Sequence, residues 1–390
     1  MSRTSSGAAI AALGAPQADK SMRWLFVPIG IGIIVGFQSI TALPFLVGAL
    51  QDGRALSPRA VGLVGGIELG AMALAVLGLA PLVHRVPRHH AAFAAALVLA
   101  AAQAASAFTE NWLWFCLVRA LAGAAGGIIA AILNASISLS PHPERTAGYA
   151  MGLATFTDLA LFLGLGWAIG EAGAHGAYML LAAMTLALAP AMLWFPPHTP
   201  ATPPLTPRVR RAGAVIWLAI ACYAAGQTAI WSYVERIGSA VNLSGSFIAL
   251  SLGLGGMVGV VGALTASQLG QRFGTFWPVL VSTIMLVATA WGLIFAASAR
   301  EFLLVYCTFV FFYLFKEPFL WGLAARLDGQ GRIIAAGSGI GLLGVAAGAA
   351  LAGQGVQRTD DFTILGWLLL GLIAAGFVLL VPLMRPRAEK

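Results

Sequence analysis

The chain has 390 residues, 59% hydrophobic and only 9% charged, with a mean hydropathy of +0.89 and a formal net charge of +8. Soluble domains carry roughly a quarter charged residues, so this composition excludes a water-soluble enzyme or nucleic-acid-binding domain and requires lipid as the solvent. Cys116, Cys222 and Cys307 all fall inside apolar runs without metal-ligand spacing, which gives no sign of a disulfide framework or a metal site.

Residues 1–23 are expected to form a cytoplasmic tail. Their Ala/Gly stretch from Gly7 to Ala15 is weakly apolar and follows no basic run, unlike a signal peptide. From Trp24 onward, apolar runs recur at the ~20-residue length that crosses ~30 Å of hydrocarbon. Backbone groups in lipid must be bonded within their own segment, so the runs are expected to be helices. The expected spans 1 to 6 cover 24–50, 61–83, 91–108, 112–137, 147–170 and 177–195, forming an N-terminal half of residues 24–195. A proline-rich linker at 196–213 cannot continue a helix. Spans 7 to 12 follow at 214–234, 244–267, 276–298, 302–323, 333–354 and 363–383, within a C-terminal half and short tail of residues 214–390.

This scheme sorts the 22 Lys and Arg residues into fifteen on the side of the termini and five on the other, with Arg119 and Lys316 inside the membrane. Basic loops stay in the cytoplasm, so a multi-pass protein of the cell inner membrane with both termini cytoplasmic is expected. Topology and anionic lipid then account for the positive charge, and no nucleic-acid partner is needed.

The halves match in register. Arg85 and Arg272, Arg145 and Arg332, and Gly152 and Gly339 are each 187 residues apart, while Gln38-Ser39 is answered by Gln227-Thr228 at 189. An even number of spans per half gives both copies one orientation. The expected fold is therefore all-α, twelve transmembrane helices in two parallel six-helix repeats, with a solute site between them.

Over residues 24–383 the sequence resembles the major facilitator superfamily. Ser267-Gln-Leu-Gly-Gln271-Arg272-Phe-Gly274 after span 8 is similar to that family's cytoplasmic loop motif, and Ala80-Pro-Leu-Val-His84-Arg85-Val-Pro87-Arg88 after span 2 is a degenerate copy. The family's aspartate, which helps lock the cytoplasmic side, is replaced by His84 and Gln271, so the resemblance implies a lock made with other groups. Arg119-Ala-Leu-Ala-Gly123 in span 4 is similar to an arginine motif associated with proton-coupled members. Span 5 lacks the Gly-Pro pair of the drug antiporters, which counts against classical multidrug efflux.

Ionisable groups at membrane depth are functional candidates: Glu68, Arg119, Asp158, Lys316 and Glu317. Glu68 and Arg119 each lie seven residues into their spans, ~10 Å deep, so they are placed to pair as a structural brace or as a gate or coupling site. Lys316-Glu317-Pro318 interrupts span 10, where proline permits a bend. Adjacent residues diverge by ~100° around a helix, so the lysine and glutamate are expected to point apart. Lys316 either snorkels to the cytoplasm or offers a cation to an anionic solute. Asp158, near mid-bilayer, carries or senses the coupling proton, or is merely bonded to Thr155 or Arg119. The resemblance further implies a central path lined by spans 1, 4, 7 and 10. It brings in Gln38, Gln227, Trp231, Tyr233 and Tyr313, the two amides being alternatively interhelical bonds. Glu235-Arg236 is expected to be a solvated pair at the end of span 7.

The expected activity is proton-linked transport of a small organic solute by a monomer, without cofactor or metal. Import of an organic anion is favoured over proton-driven efflux of a metabolite or drug. A transporter-like sensor or scaffold is the remote alternative. No nucleophile constellation or nucleotide loop points to an enzyme.

Overall fold

The computed structural model describes residues 24–137, 139–140, 143–197, 207–269, 272–327 and 332–384, and no strand occurs among them. The two tails, linker residues 198–206, His142 and Gln271 lie outside the described residues. Spans 2, 3 and 4 are the helices Pro58–Leu79, Arg88–Phe108 and Trp112–Ile137. Spans 7 to 12 are Pro207–Ala240, Gly245–Leu269, Phe276–Ile294, Ala299–Leu327, Arg332–Thr359 and Thr363–Met384. Span 7 thus starts inside the expected linker, with Pro207 in the opening turn where a missing N–H costs nothing.

Two departures from the sequence reading have local causes. Span 1 is two helices, Phe26–Thr41 and Leu43–Arg54, bent by 41° where Pro44 cannot donate to the preceding turn. Spans 5 and 6 form one run of helix, Pro143–Leu188, broken only at Ala172 and Gly173, the latter at φ +58°. A methyl group placed on Gly164 would meet Leu180 Cδ2 at 3.2 Å. Along a straight helix those residues would be ~24 Å apart, so the chain folds back at the break and crosses twice. Among the described residues ten helices are long and apolar enough to span, the bent pair adds one, and the fold-back adds another, which makes twelve.

The 187-residue register extends to helix starts, as Pro58 and Gly245 or Trp112 and Ala299 show. Within the halves, span 4 packs on spans 2 and 3, and span 10 on spans 8 and 9. Between them, span 2 packs on span 11, span 5 on span 8, and the second segment of span 1 on span 7.

With twelve crossings Trp24 and Met384 lie at one end, here called the near end. At the far end the backbones of the two halves come together. A Cβ on Gly62 of span 2 would come within 2.8 Å of Gly353 Cα in span 11, so glycine at both positions permits backbone contact across the interface. At the near end Asn134 Nδ2 lies 3.4 Å from Ser338 Oγ, and Leu77 covers Gly339.

Candidate functional site

Spans 2 and 4 are drawn together because Gly123 has no side chain to strike the Glu68 carbonyl. That approach brings Glu68 and Arg119 into a bidentate ion pair: Arg119 Nε donates to Glu68 Oε2 at 3.1 Å and Nη2 to Oε1. Span 3 completes the shell, with Arg119 Nη1 donating to Gln103 Oε1 at 2.6 Å and to Ser106 Oγ at 3.1 Å. The Tyr178 ring of span 6 lies 4.9 Å from the guanidinium carbon. Arg119 is wholly buried in its own half. Arg54, at the end of span 1, closes the cluster from outside by donating to the carbonyls of Ser106, Ala107 and Thr109, the free C-terminal acceptors of span 3.

The second repeat shows what the fold needs at this place. The residues 187 positions after Glu68, Gln103, Ser106, Arg119 and Tyr178 are Gly255, Ala290, Leu293, Tyr306 and Leu365, all buried. Gly255 packs against the Tyr306 ring as Glu68 meets Arg119. The same helix crossing is thus filled by apolar groups in one half and by a charged network in the other.

In the C-terminal half Lys316 Nζ is ion-paired with Glu317 Oε1. This corrects the expectation that the two point apart. Their Cβ directions diverge, but the four-carbon lysine stem is long enough to swing across. The ammonium also lies 5.3 Å and 4.9 Å from the Tyr223 and Tyr313 ring centres. With its amide oriented to satisfy both ends, Gln227 accepts from Lys316 at 3.3 Å and donates to the Tyr223 carbonyl at 3.2 Å. Lys316 has no exposed surface, so it does not snorkel to the membrane edge.

Asp158 has a different environment. Phe156 and Trp167 face outward, whereas Ala154, Leu161, Phe162 and Leu165 are buried, which places Asp158 on the inward face of span 5. The next residue, Leu159, fills the space beside Gly253 of span 8, and Phe162, one turn on, stacks on Phe45 at 5.8 Å and tilts against Trp231 at 6.3 Å. Asp158 therefore sits where spans 1, 5, 7 and 8 converge, half-buried and without a hydrogen-bond or ion-pair partner among the described residues. Thr155 bonds back to Met151 at 2.9 Å, and Arg119 is occupied elsewhere. The helices Phe26–Thr41 and Gly245–Leu269 contain no ionisable residue.

The remaining path candidates separate. Gln38 turns into the N-terminal half, accepting from Thr185 Oγ1 at 3.0 Å, with its Nε2 unpartnered. Trp231 and Tyr233 cross to the first half: the indole donates to the Ile40 carbonyl at 2.8 Å and the phenol to the Pro58 carbonyl at 3.4 Å. Arg236, expected to be solvated, instead ties the halves at the far end, donating to Gly48 O at 2.8 Å and to Asp52 Oδ1 at 2.7 Å. Span 7 runs on to Ala240 and so carries Arg236 against span 1. The loop-motif residues lie at the near end. Arg85 donates to His84 at 3.3 Å, buried Arg88 donates to Ser136 at 3.3 Å, and Gly274 takes φ +65° in the turn after Arg272. No group of three His, Cys, Asp or Glu side chains suited to a metal occurs among the described residues.

A family model described as Major Facilitator Superfamily matches residues 29–327. No curated relative matches the chain. Solved structures of the same fold include a nucleoside transporter, NupG, with a TM-score of 0.70 and 14% identity over 92% of this chain and 99% of that one. A D-xylose–proton symporter aligns with a TM-score of 0.68 and 13% identity, covering 93% and 98%. A bacterial homologue of the human lysosomal transporter Spinster aligns with a TM-score of 0.66 and 13% identity, covering 95% and 96%.

Proposed function

The chain belongs to the major facilitator superfamily, and on that premise we propose that it carries a small organic solute across the membrane by alternating access, coupled to protons through Asp158. The observation behind this reading is the isolation of Asp158 where both halves meet, beside a seal built from both. A carboxylate with no fixed partner can take up and release a proton as the halves rearrange, while Glu68 has both oxygens held by Arg119. Glu68 and Arg119 are then a fixed brace within the rocking half.

The solute we favour is neutral and polar. Both cations that would attract an organic anion, Arg119 and Lys316, are paired with carboxylates of their own half. The D-xylose and nucleoside named for two similarly folded proteins are likewise uncharged. Gln227, Tyr313 and Glu317 can offer donors and acceptors to such a molecule. Proton symport in the direction of import fits this reading, in an inner membrane with cytoplasmic termini. The near end is then cytoplasmic and the closed far end periplasmic.

Two measurements test this. A reporter fused after Arg88 should be active as a cytoplasmic fusion and one after Glu110 as a periplasmic fusion; the reverse pattern would overturn the orientation. In proteoliposomes holding a pH dye, adding pentoses, polyols or nucleosides in turn should reveal one class that drives proton entry with the solute. Accumulation that survives collapse of the pH gradient would remove proton coupling.

A further inference from the structure

In a helix the N–H of each residue serves the carbonyl four positions earlier. Pro44 has no N–H, so the Ile40 carbonyl is left without its helical donor at the bend of span 1. An unserved carbonyl at membrane depth is costly, and something must replace the missing bond. The replacement comes from the other half of the molecule: Trp231 Nε1–H donates to Ile40 O at 2.8 Å.

Span 7 is helical through this region, so the Trp231 backbone N–H serves the Gln227 carbonyl in the ordinary way. One residue therefore serves two carbonyls, that of Gln227 by its backbone and that of Ile40 by its indole. Phe45, next to Pro44, and Phe162 form the aromatic cover over the indole.

We propose that Pro44 and Trp231 are positioning residues of the transport cycle: the proline removes the helical donor of the Ile40 carbonyl, which then shares only the Ala42 N–H already bonded to Gln38 O at 2.8 Å, and the Trp231 bond from the other half latches the far end shut. Parting spans 1 and 7 breaks the bond and leaves the carbonyl only its share of the Ala42 N–H, so the closed state is favoured by the difference. The inference rests on the alternating-access reading, but its test needs no solute and so fails or succeeds separately from the proton-flux assay.

With the three native cysteines replaced by alanine, spin labels at Glu110→Cys and Asp360→Cys, one in each half, report far-end separation by pulsed electron resonance in nanodiscs. Trp231→Phe keeps the ring and removes the donor, which takes the advantage from the closed state. Pro44→Ala restores a helical N–H to Ile40 O, which removes the cost of opening. Each is expected to raise the open-to-closed ratio by about three- to tenfold, the worth of one net hydrogen bond. Because both act on the same carbonyl, the double variant should open no further than either single one. An unchanged distance distribution in either single variant would overturn the latch. So would additive shifts in the double variant, which would mean that the indole and the proline act on different things. If one variant fails to fold, the other alone still decides, since each carries its own expected shift.

Discussion

Replacing Arg119 with alanine should all but abolish the folded protein in the membrane, while replacing Arg119 and Glu68 together with uncharged residues of similar size should restore much of it. Glu68 and Arg119 are both buried, and the neighbouring cation Arg54 is engaged with the span 3 carbonyls, so the single change strands a charge in a low-dielectric interior. Breaking such a pair from one side costs about 3–5 kcal/mol, a large share of the stability of any domain. The double change Glu68→Gln with Arg119→Met removes both charges and keeps the volume, and the second repeat already shows this helix crossing filled by Gly255 and Tyr306. Thermal stability of the detergent-purified proteins and their yield in membranes measure the effect. The double variant should lie closer to the parent than either single variant does. If the losses simply add, the two residues do not act as a pair and the brace is wrongly assigned.

This pair was legible in the sequence because charge in an apolar run is conspicuous and depth can be counted from the start of each span. The rest of its shell was not legible. Gln103 and Ser106 are uncharged polar residues on span 3, and nothing in their local pattern distinguishes a ligand of Arg119 from any other interhelical hydrogen bond. The twelve spans and the repeat followed from hydropathy and from the regular placement of arginines at loop starts. The absence of a loop between spans 5 and 6 did not, since a fold-back through one glycine at positive φ leaves almost no polar gap. Helical-wheel reasoning separated Lys316 from Glu317 because it treats side chains as rigid vectors, and the lysine stem is not rigid. Pro44 carried a usable signal, as a proline inside an apolar span orphans a carbonyl four residues back. The identity of the donor, on a span 187 residues further along, depends on how the halves close and is not a local property. Arg236 was misread for the same reason: its partners Gly48 and Asp52 belong to the other half.

Asp158→Asn should abolish solute accumulation driven by a pH gradient while leaving solute exchange intact. Asparagine matches the carboxylate in size and keeps a polar group at the junction of spans 1, 5, 7 and 8, so the path and the rocking of the halves are preserved. What it cannot do is change charge. On the proposed coupling the carboxylate is charged when exposed to the proton-poor side and neutral once protonated on the proton-rich side, and the cost of carrying a bare charge through a closed, water-poor intermediate would tie solute movement to the proton. No charged group on the facing helices Phe26–Thr41 and Gly245–Leu269 can substitute for it, and Arg236 and Asp52 are engaged with each other at the far end. The expected result is at least a tenfold fall in gradient-driven accumulation, with counterflow of labelled solute near the parental rate; Asp158→Glu, which keeps the titratable group, should retain part of the accumulation. Equal loss of exchange and accumulation in Asp158→Asn would mark the residue as part of the solute site. Full accumulation by the same variant would place the coupling proton elsewhere in the molecule.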